Sequence, residues 1–315
     1  MVPKNNILLV GTGYMAKEYA KVLKAQKVGF VVVGRSRKST DSFRKELGIN
    51  AVSGGIIEWL MANPAPKKAI VAVTEDQLGI VTRNLINSGC RSILIEKPGG
   101  LDDADLKLTL KFAKKFKANV FIAYNRRFYA STIKAKEIIK KDGEVSSLIF
   151  DFTEWSHIIK KLKTSPKVKR GWFLANSTHV IDLAFFLSGK PIKMRSYKKG
   201  QLSWHPSGSI YSGAGITKSG ALFSYHANWE SAGRWNIEIM TPKSKLIFKP
   251  LEKLHIQKIG SVAIEEILIN DELDKKFKPG IYREVQSFFG NQKGLLSLKE
   301  QVENLKYYNK IKLGI

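Results

Sequence analysis

The chain has a single cysteine, Cys90, among 315 residues. One thiol forms no intramolecular disulfide, so a disulfide-stapled scaffold is excluded and a reducing compartment fits. Ser88, Gly89 and Arg91 around it read as a turn between a helix and a strand, which makes the thiol structural. Long apolar runs are also missing. None approaches the roughly eighteen residues that a spanning helix needs, and Ile7–Val10 is too short for a secretory signal. A cytoplasmic protein with no membrane partner is expected.

Acidic residues are scarce: 27 Asp and Glu stand against 53 Lys and Arg, a net charge of +26. Such a field concentrates anions. Three readings follow: nucleic-acid binding, affinity for phosphorylated cofactors and substrates, or a lysine-rich surface set by overall composition. No helix-turn-helix, zinc-finger or RNP pattern accompanies the charge, so no nucleic-acid partner is expected. The excess is uneven. Between His157 and Gly200 there are eleven Lys or Arg and one acid, Asp182. His157, His205, His226 and His255 are scattered, with no spacing for a metal site and no Ser-His-Asp or Cys-His arrangement.

The first part of the chain alternates two periodicities. Expected strands are Asn6–Val10, Phe30–Val33, Ala69–Val73, Ile93–Ile95 and Val120–Ala123. Expected helices are Tyr14–Gln26, Ser42–Leu47, Ile56–Met61, Gln77–Ser88 and Asp103–Phe116. This rhythm predicts an α/β fold whose N-terminal domain, residues 1–123, is a Rossmann doubly wound parallel sheet. Residues 124–315 read differently. Helices are expected at Ser131–Lys140, Asn176–Leu187, Ile281–Phe289 and Leu298–Ile311. Strands are expected at Ser146–Trp155, Met194–Lys199, Ser209–Ile216, Ala221–Trp229, Trp235–Met240, Lys245–Phe248, Leu254–Lys258 and Ala263–Ile269. The sum is a C-terminal α+β domain with a large open, mostly antiparallel sheet, in which the last helix can pack back on the N-terminal domain.

Gly11-Thr12-Gly13-Tyr14-Met15-Ala16 is G-x-G-x-x-A between an expected strand and an expected helix. Gly11 permits the tight turn, Gly13 lets the backbone approach a pyrophosphate, and Ala16 lets the helix pack close to the sheet. The anion then lies on the helix N-terminus. The second strand runs into Gly34-Arg35-Ser36-Arg37-Lys38 with no acid before Asp41. NAD-preferring folds usually place a carboxylate there for the ribose hydroxyls. Arg35 and Arg37 instead suit a 2′-phosphate, with Ser36 donating to it. NADP(H) is the expected cofactor, with NAD(H) kept open.

Glu96-Lys97-Pro98 closes an expected parallel strand, where ligands of such sheets bind. An ammonium there can stabilise alkoxide charge or supply a proton. His179 lies in the first turn of an expected helix after Asn176, and imidazole suits proton transfer near neutral pH. Asp182, one turn on, would orient His179 or anchor the helix. The basic segment Lys160–Arg170 offers Lys169 and Arg170 to a phosphate, or is a solvated loop, and Trp155 and Trp172 offer rings to a base or a sugar face.

The glycine turn, Glu96-Lys97-Pro98, Tyr124-Asn125-Arg126-Arg127-Phe128 and His179-Val180-Ile181-Asp182, in this order and at these separations, resemble the Gfo/Idh/MocA oxidoreductase family. The resemblance implies a Rossmann domain joined to an α/β domain on an open sheet, acting on sugars, cyclitols or nucleotide sugars. It implies that Lys97 is the catalytic lysine and His179 the acid or base. It places Thr74, Glu96 and Lys97 with the cofactor, and Tyr124, Arg126, Arg127 and Asn176 at the domain junction with the substrate. Assembly through the C-terminal sheet into a homodimer or homotetramer is implied too. The chain departs from the family at three places. Ala175, followed by Asn176, stands where many members have Asp. Thr74-Glu75 replaces Thr-Pro, and Gly79 replaces a His.

The expected function is that of an NADP(H)-dependent oxidoreductase interconverting a hydroxyl and a ketone on a nucleotide-activated or otherwise anionic sugar, tilted towards reduction. An NAD-dependent polyol or inositol dehydrogenase and a non-catalytic dinucleotide-binding protein are the alternatives.

Overall fold

The computed structural model describes residues 7–315. Asn6, placed in the first expected strand, lies outside the described residues. The chain forms two compact units: the stretch up to Asn125 with Lys276–Glu303, and Arg126–Lys275 with Asn304–Ile315.

The first unit is built on β1 (Ile7–Val10), β2 (Phe30–Val33), β3 (Ala51–Val52), β4 (Lys68–Val71), β5 (Ser92–Glu96) and β6 (Asn119–Ala123). The short strand Leu296–Ser297 adds to its edge, giving the order Leu296–Ser297, β6, β5, β4, β1, β2, β3. All the pairs are parallel except the last addition, where Leu296 opposes Ile122 antiparallel. The continuous apolar runs follow from helices on both faces: β1 is buried at every position. Helices α1 (Tyr14–Ala25), α2 (Arg37–Leu47), α3 (Gly55–Ala62), α4 (Glu75–Asn87) and α5 (Asp103–Lys115) make the crossovers. The order reverses at β1, which has β4 on one side and β2 on the other. In open α/β sheets the crevice beyond the strand ends at such a switch point is where ligands bind.

One boundary in this unit differs from the expectation, with a functional consequence. The α2 helix begins at Arg37, not at Ser42, because the Ser36 hydroxyl caps it by accepting from the Ser39 amide at 3.3 Å. Gly48 ends it in the left-handed conformation at φ 63°. Arg37 is therefore a helical residue rather than part of a basic turn. Cys90 is buried with its Sγ 3.6 Å from the Lys67 carbonyl oxygen, and burial pushes the thiol up to about 12. That suits a structural role, since the reactive form is the thiolate.

The second unit carries β7 (Ser147–Asp151), β8 (Pro191–Lys199), β9 (Ile210–Thr217), β10 (Leu222–Asn228), β11 (Asn236–Met240), β12 (Ser244–Phe248), β13 (His255–Lys258) and β14 (Glu265–Glu266). Their order is β14, β13, β12, β11, β7, β10, β9, β8, antiparallel throughout except for β7 beside β10. Alternation sets one face inward. Phe150 and Phe223 both meet the Phe185 ring of helix Thr178–Ser188 edge-on, at 5.6 and 5.1 Å.

The expected strand Ser146–Trp155 stops at Asp151, whose Oδ1 accepts from the Thr153 amide at 2.6 Å and turns the chain away from the ladder. The expected strand Ala263–Ile269 contracts to Glu265–Glu266. The basic segment, expected as a loop, folds into short helices Ser156–Lys161 and Pro166–Arg170. Phe173–Ser177 then forms a π turn, so that the expected Asn176 helix starts at Thr178. No helix among the described residues is long and apolar enough to cross a membrane.

Candidate active site

In the first unit a cavity of about 640 Å³ opens beyond β1, β2 and β4. It is of small-molecule size. Its floor is the glycine turn. Gly11 has φ +124°, and a Cβ there would strike the Ala72 carbonyl, so a side chain is excluded both by backbone conformation and by close approach. Gly13 is the N-cap of α1 and makes no side-chain cap bond. The space where its Cβ would stand is open within 4 Å. Ala16 is fully buried. The first turn of α1 contains no acid, so its unsatisfied amides and dipole are left to an external anion.

Thr12, Tyr14, Met15 and Thr74 line the same cavity, as do Arg35 and Ser36. Ser39, which belongs to no motif in the sequence, joins them. The Ser36 and Ser39 hydroxyls are 2.9 Å apart, and Thr12 Oγ1 donates to Ser39 Oγ at 3.0 Å. Arg37 does not line the cavity. Its side chain is 91% exposed and lies 3.9 Å from Asp41. Glu75 is the one carboxylate among the lining residues, and it belongs to the start of α4 rather than the end of β2.

One departure from the family pattern has a visible counterpart in this unit. A Cβ at Gly79 would run into the Asp105 carboxylate. Asp105 is fixed there by Arg83 at 2.5 Å and by the Leu101 amide at 2.9 Å. The space that a side chain at position 79 would take is therefore filled from α5.

Glu96 turns into the core instead of the cavity. It is buried and accepts from the Tyr19 hydroxyl at 2.8 Å, and the same hydroxyl lies 3.3 Å from Glu284 Oε2. Burial pushes the Glu96 carboxyl up, opposed first by the Lys97 charge and then by the Tyr19 hydrogen bond. Lys97 itself is half-buried. The turn that carries it is pinned from the C-terminal helix: Gln301 Nε2 donates to the Pro98 carbonyl at 3.0 Å and to the Tyr124 hydroxyl at 3.1 Å. Tyr124 is buried and serves this anchor. The sequence carried no local signal for Glu284 or Gln301, which lie about 190 and 200 residues beyond the strand that they support.

This cluster makes a stability prediction. Tyr19→Phe removes the donor shared by two buried carboxylates, which should cost about 1–3 kcal/mol. Because Glu96 keeps its proton to higher pH in the folded state, the folded protein binds more protons in that window and stability falls as pH rises through it. The lost hydrogen bond favours the charged form, so the Tyr19→Phe penalty in thermal melts should be larger at pH 8 than at pH 5. An equal melting temperature for both proteins at pH 8 would contradict this.

In the second unit His179 is buried, and its ring stands 6.1 Å from that of Trp235. Asp182, one turn on, binds Arg127 in a bidentate pair, 2.7 Å at each oxygen. Asp182 is buried, and the Arg127 side chain is 9% exposed. The mutual field holds the Arg127 guanidinium above its ordinary range despite the burial that opposes it. Arg127, expected to touch substrate, thus has its fork taken up by the protein. Arg126 lies against the Trp235 ring at 4.6 Å.

Asn176, expected as a substrate ligand, donates from Nδ2 to both oxygens of Glu154 at 3.0 Å, and Ser177 Oγ adds a bond of 2.9 Å. A carboxylate therefore stands beside the Ala175–Asn176 turn although the sequence there offers only an amide. Trp172 meets Trp204 edge-on at 6.2 Å. Trp155 is fixed by its Nε1 bond to the Gly233 carbonyl at 2.9 Å. Lys169 Nζ donates to the Lys160 carbonyl at 2.9 Å, and Arg170 is exposed.

Residues 5–124 match a family model described as an oxidoreductase family with an NAD-binding Rossmann fold, Gfo/Idh/MocA. The whole chain is similar in fold to several solved structures. One is a UDP-N-acetylglucosamine 3-dehydrogenase from Acidithiobacillus ferrooxidans, at 13% identity and TM-score 0.75, covering 98% of this chain and 97% of that one. A second is a levoglucosan dehydrogenase in complex with NADH and levoglucosan, at 16% identity and TM-score 0.78, covering 97% and 95%. A third is an oxidoreductase from Agrobacterium radiobacter in complex with NAD+, L-tartaric acid and magnesium, at 12% identity and TM-score 0.75, covering 97% and 94%. No curated protein matches the chain.

Proposed function

We propose that the protein, whose residues 5–124 match the Gfo/Idh/MocA oxidoreductase family model, is an NADP(H)-dependent oxidoreductase interconverting a hydroxyl and a ketone on an anionic or nucleotide-activated sugar. The observation that carries this reading is the glycine turn. At φ +124° against the Ala72 carbonyl, Gly11 bends the chain so that the α1 N-terminus faces an open cavity at Gly13. A pyrophosphate fits there, on the amides and the dipole of α1. When bound, the nicotinamide group supplies or accepts the hydride.

The preference for NADP(H) is supported by the cavity rim at β2. It carries Arg35, Ser36 and Ser39 and no carboxylate. Lys97 donates to the reacting oxygen and offsets its negative charge in the transition state. His179 is the proposed acid or base of the reaction. Sugar dehydrogenases among the structures of similar fold support a sugar substrate. The test is a panel of keto sugars and sugar alcohols, neutral, phosphorylated and nucleotide-linked, followed at 340 nm with each cofactor. Turnover of sugars with NADPH or NADP+ supports the proposal. Stable cofactor binding with no turnover across the panel would favour the non-catalytic reading.

Assembly belongs to the same proposal. The sheet face turned away from helix Thr178–Ser188 exposes Ile149, Leu222 and Tyr197, an apolar surface of the kind that marks interaction sites. Light scattering is expected to give the mass of a dimer or tetramer. A mass near 35.4 kDa, that of one chain, would contradict it.

A further inference from the structure

The feature of the second unit that the functional reading leaves unused is Arg234. Its neighbour Glu154 lies just past the end of β7, with a side chain only 1% exposed. Three groups fill its carboxylate: the Asn176 amide, the Ser177 hydroxyl, and Arg234 Nη1 at 3.3 Å. Burial pushes Glu154 up, and Arg234 is the first of the groups that oppose the shift.

Arg234 is tied down at that one point and by its faces. Its guanidinium carbon lies 4.7 Å from the Trp155 ring centre and 4.1 Å from that of Trp235. The Trp155 ring is itself held by the Gly233 carbonyl, and the Trp235 ring is the one that His179 and Arg126 adjoin. Among the described residues Arg234 makes no other hydrogen bond, and its side chain is still 40% exposed. Burial and the Arg126 charge both hold its pKa below the ordinary arginine value, while Glu154 and, more weakly, the exposed Glu252 raise it.

A guanidinium with one N–H anchored on a buried carboxylate and with indole rings against it has lost most of its rotamer freedom before any ligand arrives. What it still presents is a fork of N–H donors whose spacing matches two oxygens of an oxoanion. The indoles beside it offer apolar faces to a sugar ring. We propose that Arg234, positioned by Glu154, reads an oxoanion, carboxylate or phosphate, on the substrate. The assignment rests on the sugar-oxidoreductase reading and narrows its substrate class. It also moves the anion contact away from Lys160–Arg170. There, Lys169 is engaged by a backbone carbonyl and Arg170 is exposed, without a buried partner to fix either.

The test is a binding measurement on the full chain with its reduced dinucleotide, using glucuronate, glucose 6-phosphate and glucose as probes, read by calorimetry and by tryptophan fluorescence. At least one anion is expected to bind ten or more times as tightly as glucose. Arg234→Gln should lower the ratio of anion to glucose affinity at least tenfold. Arg234→Lys should restore part of it, and Glu154→Gln should lower it while altering the tryptophan signal on binding. Preference for glucuronate alone, for the phosphate alone or for both supports the proposal and names the group. Equal binding of all three probes, or an unchanged ratio in Arg234→Gln with a wild-type melting profile, overturns it. If Arg234→Gln does not fold, the Lys variant and Glu154→Gln decide by the same ratio. Because binding is read without turnover, failure here is distinct from failure of the oxidoreductase reading, which is decided by the 340 nm panel.

Discussion

Replacing Lys97 by methionine should lower kcat by about 10²–10⁴-fold, the range that general acid–base and oxyanion-type stabilisation supply. Dinucleotide affinity should stay within a few-fold of the parent. Methionine keeps most of the side-chain length and removes the charge and the donors. The expectation follows from where the lysine is held. It leaves the end of β5, at the edge where open α/β sheets bind ligands, on a turn pinned by Gln301 through the Pro98 carbonyl. The neighbouring Glu96 is not available to touch substrate. It is buried beneath the turn with Tyr19, and the Lys97 charge works against its burial. Removing that charge should also let Glu96 hold its proton more firmly, so Lys97→Met should fold and melt much like the parent below pH 7. A kcat within threefold of the parent would remove Lys97 from the chemistry.

Arg35→Asp should reverse the cofactor choice, weakening NADPH by about 100-fold and leaving NADH equal or tighter. A charge-assisted hydrogen bond contributes about 1.5–3 kcal/mol, about 10- to 100-fold in affinity, and a carboxylate in its place adds repulsion of the 2′-phosphate. Arg35 is the basic residue of the β2 rim that lines the cavity, whereas Arg37 points along the surface beside Asp41. Arg37→Ala should therefore change the NADPH affinity by less than threefold. Comparable losses in both variants would return Arg37 to the site.

The Rossmann unit was legible in the sequence because its determinants are local. Gly11, Gly13 and Ala16 lie within six residues: Gly11 is small because of its backbone conformation and the nearby Ala72 carbonyl, Ala16 because it is fully buried, and Gly13 leaves open space at the start of α1. The open sheet was legible from alternation, as in β10, where buried and exposed positions alternate from Leu222 to Ala227. Element ends were harder. Apolar residues continue past Asp151, so the pattern carried the strand on to Trp155, while the Asp151 side chain ends it by capturing the Thr153 amide. Ser36 had the chemistry of a helix cap, but reading it as a phosphate donor hid that role, and with it Ser39.

The polar machinery was least legible, because its partners are distant in the chain. Glu154 and Arg234 are 80 residues apart. Arg127 and Asp182 are 55 apart, and Tyr19 and Glu284 are 265 apart. Nothing in a local window distinguishes Arg127, whose fork is occupied by Asp182, from Arg234, whose fork is largely open. The distinction is made by the sheet that brings β7 beside β11. The amide at Asn176 likewise gave no sign of the carboxylate that it binds.

The central claim, an NADP(H)-linked enzyme, is tested most directly by titrating the protein with NADPH and with NADH in a calorimeter at fixed salt. One site per chain is expected, with NADPH bound at least ten times as tightly as NADH. Equal or tighter binding of NADH would contradict the assignment of Arg35, Ser36 and Ser39 to a 2′-phosphate, and no heat from either dinucleotide would contradict the account as a whole.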